Sequence, residues 1–224
     1  IFDNATSCSS ENSIIILDAV YNDMISELEV AGGYMANEKE ASRIAGILFS
    51  DGKINRYAIG RSLTYLDELF ELGGKTDGKR LIMIRETGIG PEAPLSGEKL
   101  SLILTIYRAS DLEEAMGICD RILNYEGLGH SVGIHTASDE VAHKLAARTN
   151  VARVLVNQAH TFGNGGGVDN GLPFTLTMGC GTWAGNSISD NLSIANFVNK
   201  TVLVKTFDKT VPERAELFGE LYDP

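Results

Sequence analysis

The sequence predicts an α/β domain, a mostly parallel sheet flanked by helices. Two observations carry that expectation. Short, largely apolar runs, the pattern of strands buried on both faces, alternate with segments whose apolar residues recur every three or four positions. Strands separated by amphipathic helices imply right-handed crossovers and parallel pairing. A third observation concerns the end of the chain: after Asn157 the texture changes, and residues 160–190 are rich in Gly, Asn, Ser and Thr. An irregular stretch of that length is usually functional. In parallel sheets ligands sit beyond the carboxyl ends of strands, where this segment is expected to begin.

The elements follow in order. Ser13–Leu17 is an apolar run read as a buried strand. Val20, Met24, Ile25 and Leu28 have helical spacing, and Gly32-Gly33 ends that helix. Asn37 is placed to cap a helix with the stripe Ala41, Ile44, Ala45 and Leu48, stopped by Asp51-Gly52. Ser62 caps another, running through Leu63, Leu66, Leu69, Phe70 and Leu72 to Gly73-Gly74. Leu81–Ile84 and Leu102–Tyr107 read as strands. Ser110-Asp111-Leu112-Glu113 has capping-box spacing, opening a helix with Ala115, Met116, Cys119, Ile122 and Leu123 on one face and Gly127 at its end. Ser131–His135 is a strand, Ser138 caps a helix from Val141 to Arg148, and Ala152–Asn157 is a strand again. Asp139 and Glu140 suit the dipole at that last helix's start. Thr201–Phe207 alternates as a late strand.

Composition excludes several function classes. The chain has 224 residues, 43% hydrophobic and 22% charged, which is ordinary globular usage. Its net charge of −11 repels phosphate backbones and anionic lipid, so nucleic-acid and membrane-surface partners are not expected. No apolar run reaches the roughly 20 residues that span a bilayer, and Ile1-Phe2-Asp3-Asn4 lacks the basic start of a signal peptide. Three cysteines, Cys8, Cys119 and Cys180, are too few and odd in number for a disulfide framework, which points to a reducing cytoplasm. The chain begins without Met, as a piece of something longer would.

Cys119 falls on the apolar face of its helix and reads as a core residue. Cys180, in Gly179-Cys180-Gly181, has no obvious base and reads as packing, with glycines that allow close backbone approach. Cys8 lies in the polar stretch Asn4–Asn12 ahead of a strand, exposed and surrounded by backbone donors as a nucleophile requires. On spacing alone such a cysteine is more often incidental. His130, His135, His143 and His160 have no metal-ligand spacing. Gly163–Gly167 is no phosphate loop, because no Lys-Ser/Thr follows it, and there is no Gly-x-Ser-x-Gly elbow.

Three stretches together are more specific. Ser7-Cys8-Ser9-Ser10-Glu11 precedes one strand, Pro94-Leu95-Ser96-Gly97-Glu98-Lys99-Leu100 precedes another, and Met178–Ser187 closes the irregular segment. With Gly127-Leu128-Gly129-His130 and Val154–Asn157, they resemble in order and spacing the catalytic domain of CoA-acylating aldehyde dehydrogenases. That branch includes acetaldehyde, sulfoacetaldehyde and succinate-semialdehyde dehydrogenases. The resemblance covers nearly the whole chain. It implies that Cys8 is the catalytic cysteine, that the Glu98 carboxylate holds the nicotinamide ribose, and that Leu100 lies near the nicotinamide. His160 and Phe162 would line the aldehyde pocket, and Gly181 would flank the active-site channel. The hydrolytic members' Phe-Gly-Pro run after the glutamate is replaced here by Lys99-Leu100-Ser101-Leu102, which favours the acylating branch.

The resemblance further implies NAD or NADP as cofactor and coenzyme A as co-substrate, with an aldehyde becoming an acyl-CoA through a cysteine thioester. No Gly-x-Gly-x-x-Gly follows a strand. A preceding nucleotide-binding domain, with the family's second oxyanion donor, is therefore expected outside this chain, and the isolated chain is expected to be inactive. Residues 1–200 are read as the catalytic domain and 201–224 as an oligomerisation strand and tail, implying a homo-oligomer. A hydrolytic aldehyde dehydrogenase and a non-catalytic CoA-binding or assembly module are the competing readings.

Overall fold

The computed structural model describes residues 1–50 and 52–222. Asp51, named above as part of a helix stop, and Asp223 and Pro224 of the expected tail lie outside the described residues. The chain divides into two compact units, Ile1–Ser193 and Ile194–Pro224.

The first unit is α/β, as expected. β1 (Ser13–Leu17), β6 (Ile103–Ala109), β5 (Leu81–Arg85) and β2 (Gly33–Met35) form one sheet in that order, every pair parallel. β7 (Gly129–Ile134) and β8 (Val151–Val156) form a second parallel pair, and β3 (Phe49–Ser50) with β4 (Lys53–Ile54) a small antiparallel hairpin. Alternation along β5 divides the core. Ile82 and Ile84 face α2 (Glu38–Leu48) and α3 (Leu63–Leu69), in a cluster with fully buried Ile44, Leu48, Leu66 and Phe70. Met83 points to the other face, against Ile16, Ile106 and the Tyr21 and Ile25 of α1 (Tyr21–Val30). Each such side chain contributes about 1.5–3 kcal/mol by leaving water. α4 (Leu112–Glu126) and α5 (Asp139–Arg148) cover β7 and β8 through Met116, Cys119, Leu123 and Leu145.

The caps show how local chemistry sets the boundaries. Asn37 accepts from the Glu40 amide at 3.0 Å while the Glu40 carboxylate accepts from the Asn37 amide at 2.9 Å. Ser62 and Ser138 cap α3 and α5 as expected. The expected box at Ser110 is displaced by one residue. Asp111 is the cap, accepting from the Glu114 amide, and the Glu114 carboxylate takes both the amide and hydroxyl of Ser110 at 2.7 Å. Glu113 instead pairs with Lys144 and Arg148 of α5. A carboxylate cap accepts a backbone bond as well as a hydroxyl does, so spacing alone could not choose between neighbours.

Other differences are small. α3 ends at Leu69, with Glu71 in the left-handed region at φ 54°. β2 opens on the glycine read as a helix stop, and its three residues are too few for a periodic signal. In the second unit the strand expected at Thr201–Phe207 is not formed. Val202, Leu203, Val204 and Phe207 are exposed and pair with no strand among the described residues. A strand requires a ladder partner, and alternation cannot supply one. This unit's regular structure comprises α7 (Arg214–Phe218) and short 3₁₀ turns.

Candidate active site

Of the residues singled out in the sequence, Cys8 and Glu98 lie at the amino ends of parallel strands, while His160 and Phe162 follow the carboxyl end of β8. The Cys8 loop runs directly into β1, and the Gly97–Ser101 turn leads into β6, its parallel neighbour. The irregular segment from His160 does begin at the carboxyl end of β8, as expected. The carboxyl ends of β2 and β5 border an open cavity of about 460 Å3 lined by Ala36, Asn37, Arg85, Glu86 and Thr87. It lies at the opposite end of the sheet from Cys8.

Cys8 sits exposed in the turn closed by the Ser10 amide on the Ser7 carbonyl at 2.9 Å. Ser9, Glu11 and Asn12 anchor that turn. Ser9 is buried; its carbonyl accepts from Thr161 Oγ1 at 2.9 Å, and its hydroxyl touches Met178 Sδ at 3.9 Å. Glu11 Oε1 accepts from the His160 amide at 2.9 Å, and Asn12 Nδ2 donates to the Gly97 carbonyl at 2.8 Å. The turn thus joins the three stretches that carried the resemblance. Its residues are held from behind while the thiol is left accessible. Cys119, by contrast, is buried and its thiol is pushed up to about 11 by desolvation. Burial also raises the Cys180 thiol.

Glu98 projects an exposed carboxylate that makes no ion pair among the described residues. Partial burial and the nearby Glu126 hold its pKa above the ordinary range, against the opposing pull of Lys99. Leu100 adopts φ 44°, the left-handed region that branched residues avoid, and its carbonyl accepts from the Gly60 amide at 2.9 Å. Such strain persists only where the surroundings impose it. A free carboxylate beside a fixed apolar side chain suits a ribose hydroxyl pair and an adjoining flat ring.

His160 opens the short helix α6 (His160–Asn164), but its ring turns back onto β7. The reversal occurs at Asn157, φ 54°, whose side chain bonds both the amide and the carbonyl of Thr136. His160 Nε2 then meets Ser131 Oγ at 2.7 Å, and His130 Nδ1 meets the same oxygen at 2.6 Å. Asn164 Nδ2 is a third partner at 2.9 Å. Desolvation lowers both imidazoles, His160 to about 4, so both are neutral at pH 7. Two buried atoms of this hub, His130 Nε2 and Asn164 Oδ1, have no partner among the described residues. Composition signalled the histidines, but the Ser131 hub had no sequence signal, because its partners come from distant segments.

Gly181 (φ 66°) starts the turn Thr182–Ala184, and its amide bonds the Ile188 carbonyl at 2.9 Å. Gly129 explains how this segment reaches β7: a Cβ there would lie 2.2 Å from the Cys180 carbonyl oxygen. Beneath it, the buried Arg153 guanidinium bonds the Gly179 and Ser189 carbonyls and Asn191 Oδ1. Phe162 is not brought inward. Its ring is 69% exposed and packs edge-on against Phe2, with centroids 5.9 Å apart. Arg56 and Arg61 stack on Tyr57 and Tyr65, and Arg43 bonds the Glu71 carbonyl. No group of His, Cys, Asp and Glu among the described residues could hold a metal, and no described helix is long and apolar enough to cross a membrane.

No family model matches the chain, but individual proteins do. It is 43% identical over 222 residues to the sulfoacetaldehyde dehydrogenase (acylating) of Cupriavidus necator, covering 99% of this chain and 45% of that protein. It is 34% identical to the succinate-semialdehyde dehydrogenase (acetylating) of Clostridium kluyveri, covering 97% of this chain and 48% of that one. The crystal structure of an acetylating aldehyde dehydrogenase from Geobacillus thermoglucosidasius superposes with a TM-score of 0.83 at 31% identity, over 93% of this chain and 46% of that one. The chain spans about half the length of the curated relatives it matches. By sequence and by fold, nearly the whole chain is similar to about half of each of these acylating aldehyde dehydrogenases.

Proposed function

We propose that this chain is the nucleophile-bearing part of an NAD(P)-dependent enzyme that converts an aldehyde and coenzyme A to an acyl-CoA. The observation that carries the reading is the turn at Cys8, exposed at its sulfur and tied at Ser9, Glu11 and Asn12 to the 161, 178, 160 and 97 segments. The Cys8 thiolate adds to the aldehyde carbonyl, giving a thiohemiacetal on the protein. Its oxyanion is met by the Cys8 amide, which bonds no acceptor among the described residues. NAD(P)+, when bound, would supply the acceptor for the hydride on that carbon, with Glu98 to hold its ribose and Leu100 beside its ring. The Cys8 thioester then passes its acyl group to the CoA thiol. Sulfur serves both halves because a thiolate attacks well and leaves well. His160 and Gly181 form the walls around the turn, while Phe162, exposed on its outer side, contributes to the aldehyde entrance.

The relatives named for sulfoacetaldehyde and succinate semialdehyde make a sulfonated or carboxylated small aldehyde the first substrate class to assay. The exposed apolar residues from Val202 to Phe207 support a homo-oligomer in which this segment pairs with a second copy. Its three unpaired cysteines fit a cytoplasmic setting. Residues 1–200 are proposed as the catalytic domain and 201–224 as the assembly segment.

The test is product analysis with the complete protein. Strict dependence of NAD(P)H formation on both aldehyde and CoA, with acyl-CoA as product, supports the proposal. Full turnover without CoA, yielding free acid, would transfer it to the hydrolytic branch. The 224-residue chain alone is expected to turn over negligibly, because this reading puts the dinucleotide site largely on another domain.

A further inference from the structure

The carbonyl oxygen of Gly97, next to Glu98, is gripped from two sides. Lys99 Nζ donates to it at 3.1 Å and Asn12 Nδ2 at 2.8 Å. The same lysine donates to the Leu95 carbonyl at 2.8 Å, which also accepts from Thr105 Oγ1 on β6 at 2.7 Å. The Lys99 side chain is 1% exposed, and among the described residues no carboxylate comes within ion-pair distance of it. Burying an amine among carbonyls is costly compared with burying a methionine of similar length. Filling space therefore does not account for a lysine here. Directed bonds to two carbonyls do.

We infer that Lys99 is a positioning residue: its buried amine closes the Leu95–Gly97 turn so that Glu98 faces the cofactor, while Asn12, through the shared Gly97 carbonyl, holds that turn at a set distance from the Cys8 loop. Lys99 itself touches neither substrate nor cofactor. The inference rests on the reading that Glu98 carries the nicotinamide ribose. The arrangement gives physical content to the spacing of the two loops: one oxygen atom is common to the turn before β6 and the residue that enters β1.

The experiment is a double-mutant cycle in the complete protein, read as KM for NAD(P)+ and as kcat, with saturating aldehyde and CoA. Lys99→Met is expected to raise the cofactor KM about tenfold and to leave the CoA KM within about twofold. In the Glu98→Gln background, Lys99→Met is expected to change the cofactor KM by less than about twofold, because the group it aims is already disabled. An equal effect of Lys99→Met in both backgrounds, or none in a folded single variant, overturns the inference while leaving the Glu98 reading intact. If Glu98→Gln itself leaves the cofactor KM unchanged, the reading and the inference fall together. Should Lys99→Met fail to fold, Asn12→Ala removes the second grip on the same carbonyl, together with a long 3.4 Å bond to Ser13 Oγ. It is expected to raise the cofactor KM about threefold, and an unchanged KM overturns the inference.

Discussion

Ser131 offers the sharpest test of the polar cluster beside the Cys8 loop. Its hydroxyl meets three groups, and an alcohol has one proton to give and two lone pairs to receive with. Asn164 Nδ2 can only donate, so one histidine donates and the other accepts. Ser131→Ala removes the hub without opening room for a water molecule. Asn164 is 0% exposed and its Oδ1 already lacks a partner, so its amide is then buried with neither end bonded except through its backbone. One imidazole N–H is stranded with it. Each buried, unsatisfied group costs about 1–3 kcal/mol. Allowing for relaxation, the expected loss is about 2–4 kcal/mol, or roughly 5–15 °C in Tm for a unit of this size. Urea unfolding reads it as a fall in midpoint of about 1–2 M at unchanged m. Ser131→Thr, which keeps the hydroxyl, is expected to recover most of the loss. A midpoint unchanged within the equivalent of about 0.5 kcal/mol would refute the assignment of these bonds as a buried network.

Three further expectations follow from single groups. Thiol labelling at pH 8, mapped by peptide mass, is expected to modify Cys8 first, Cys180 more slowly and Cys119 only on unfolding, since Cys119 is buried with its pKa near 11; early modification of Cys119 would contradict the packing of α4. Burial pulls Lys99 down to about 7 against the raising influence of Glu126 and Glu98, and the unfolded chain binds that proton up to about 10.4. Between those values the unfolded state holds more protons, so this group makes stability rise with pH by up to about 1.4 kcal/mol per unit, and Lys99→Met should flatten the slope of urea midpoint against pH. Finally, Glu71→Gly relieves an exposed left-handed residue whose 3.7 Å pairing with Arg43 is weak. It is expected to raise stability by up to about 1 kcal/mol in the same assay, and a loss of that size would show the strain to be absent.

The elements that were legible in the sequence are those whose signal is local. Ile14–Leu17 is apolar throughout because β1 has neighbours on both faces, and Asn37 announces α2 by capping it. The failures have equally physical causes. Thr201–Phe207 alternates like a strand, but pairing depends on a partner that alternation does not specify. The cap at α4 moved one residue because Ser110 and Asp111 are both competent acceptors. In the site, Cys8 and Glu98 were identified through the ordered resemblance of their stretches, since an exposed cysteine or glutamate has no distinguishing local pattern. Lys99, Ser131 and Asn164 went unread because each acts through contacts that only the folded chain creates. Phe162, two residues on from His160, is carried by α6 to a different side and rests exposed against Phe2.

The central claim is a covalent one, and mass spectrometry tests it directly. The complete protein would be mixed with a small aldehyde and NAD(P)+ in the absence of CoA, then digested and mapped. The account predicts an acyl adduct on the peptide carrying Cys8, discharged when CoA is added and absent from Cys8→Ala. An adduct confined to Cys180, or undiminished acyl-CoA production by Cys8→Ala, would contradict it.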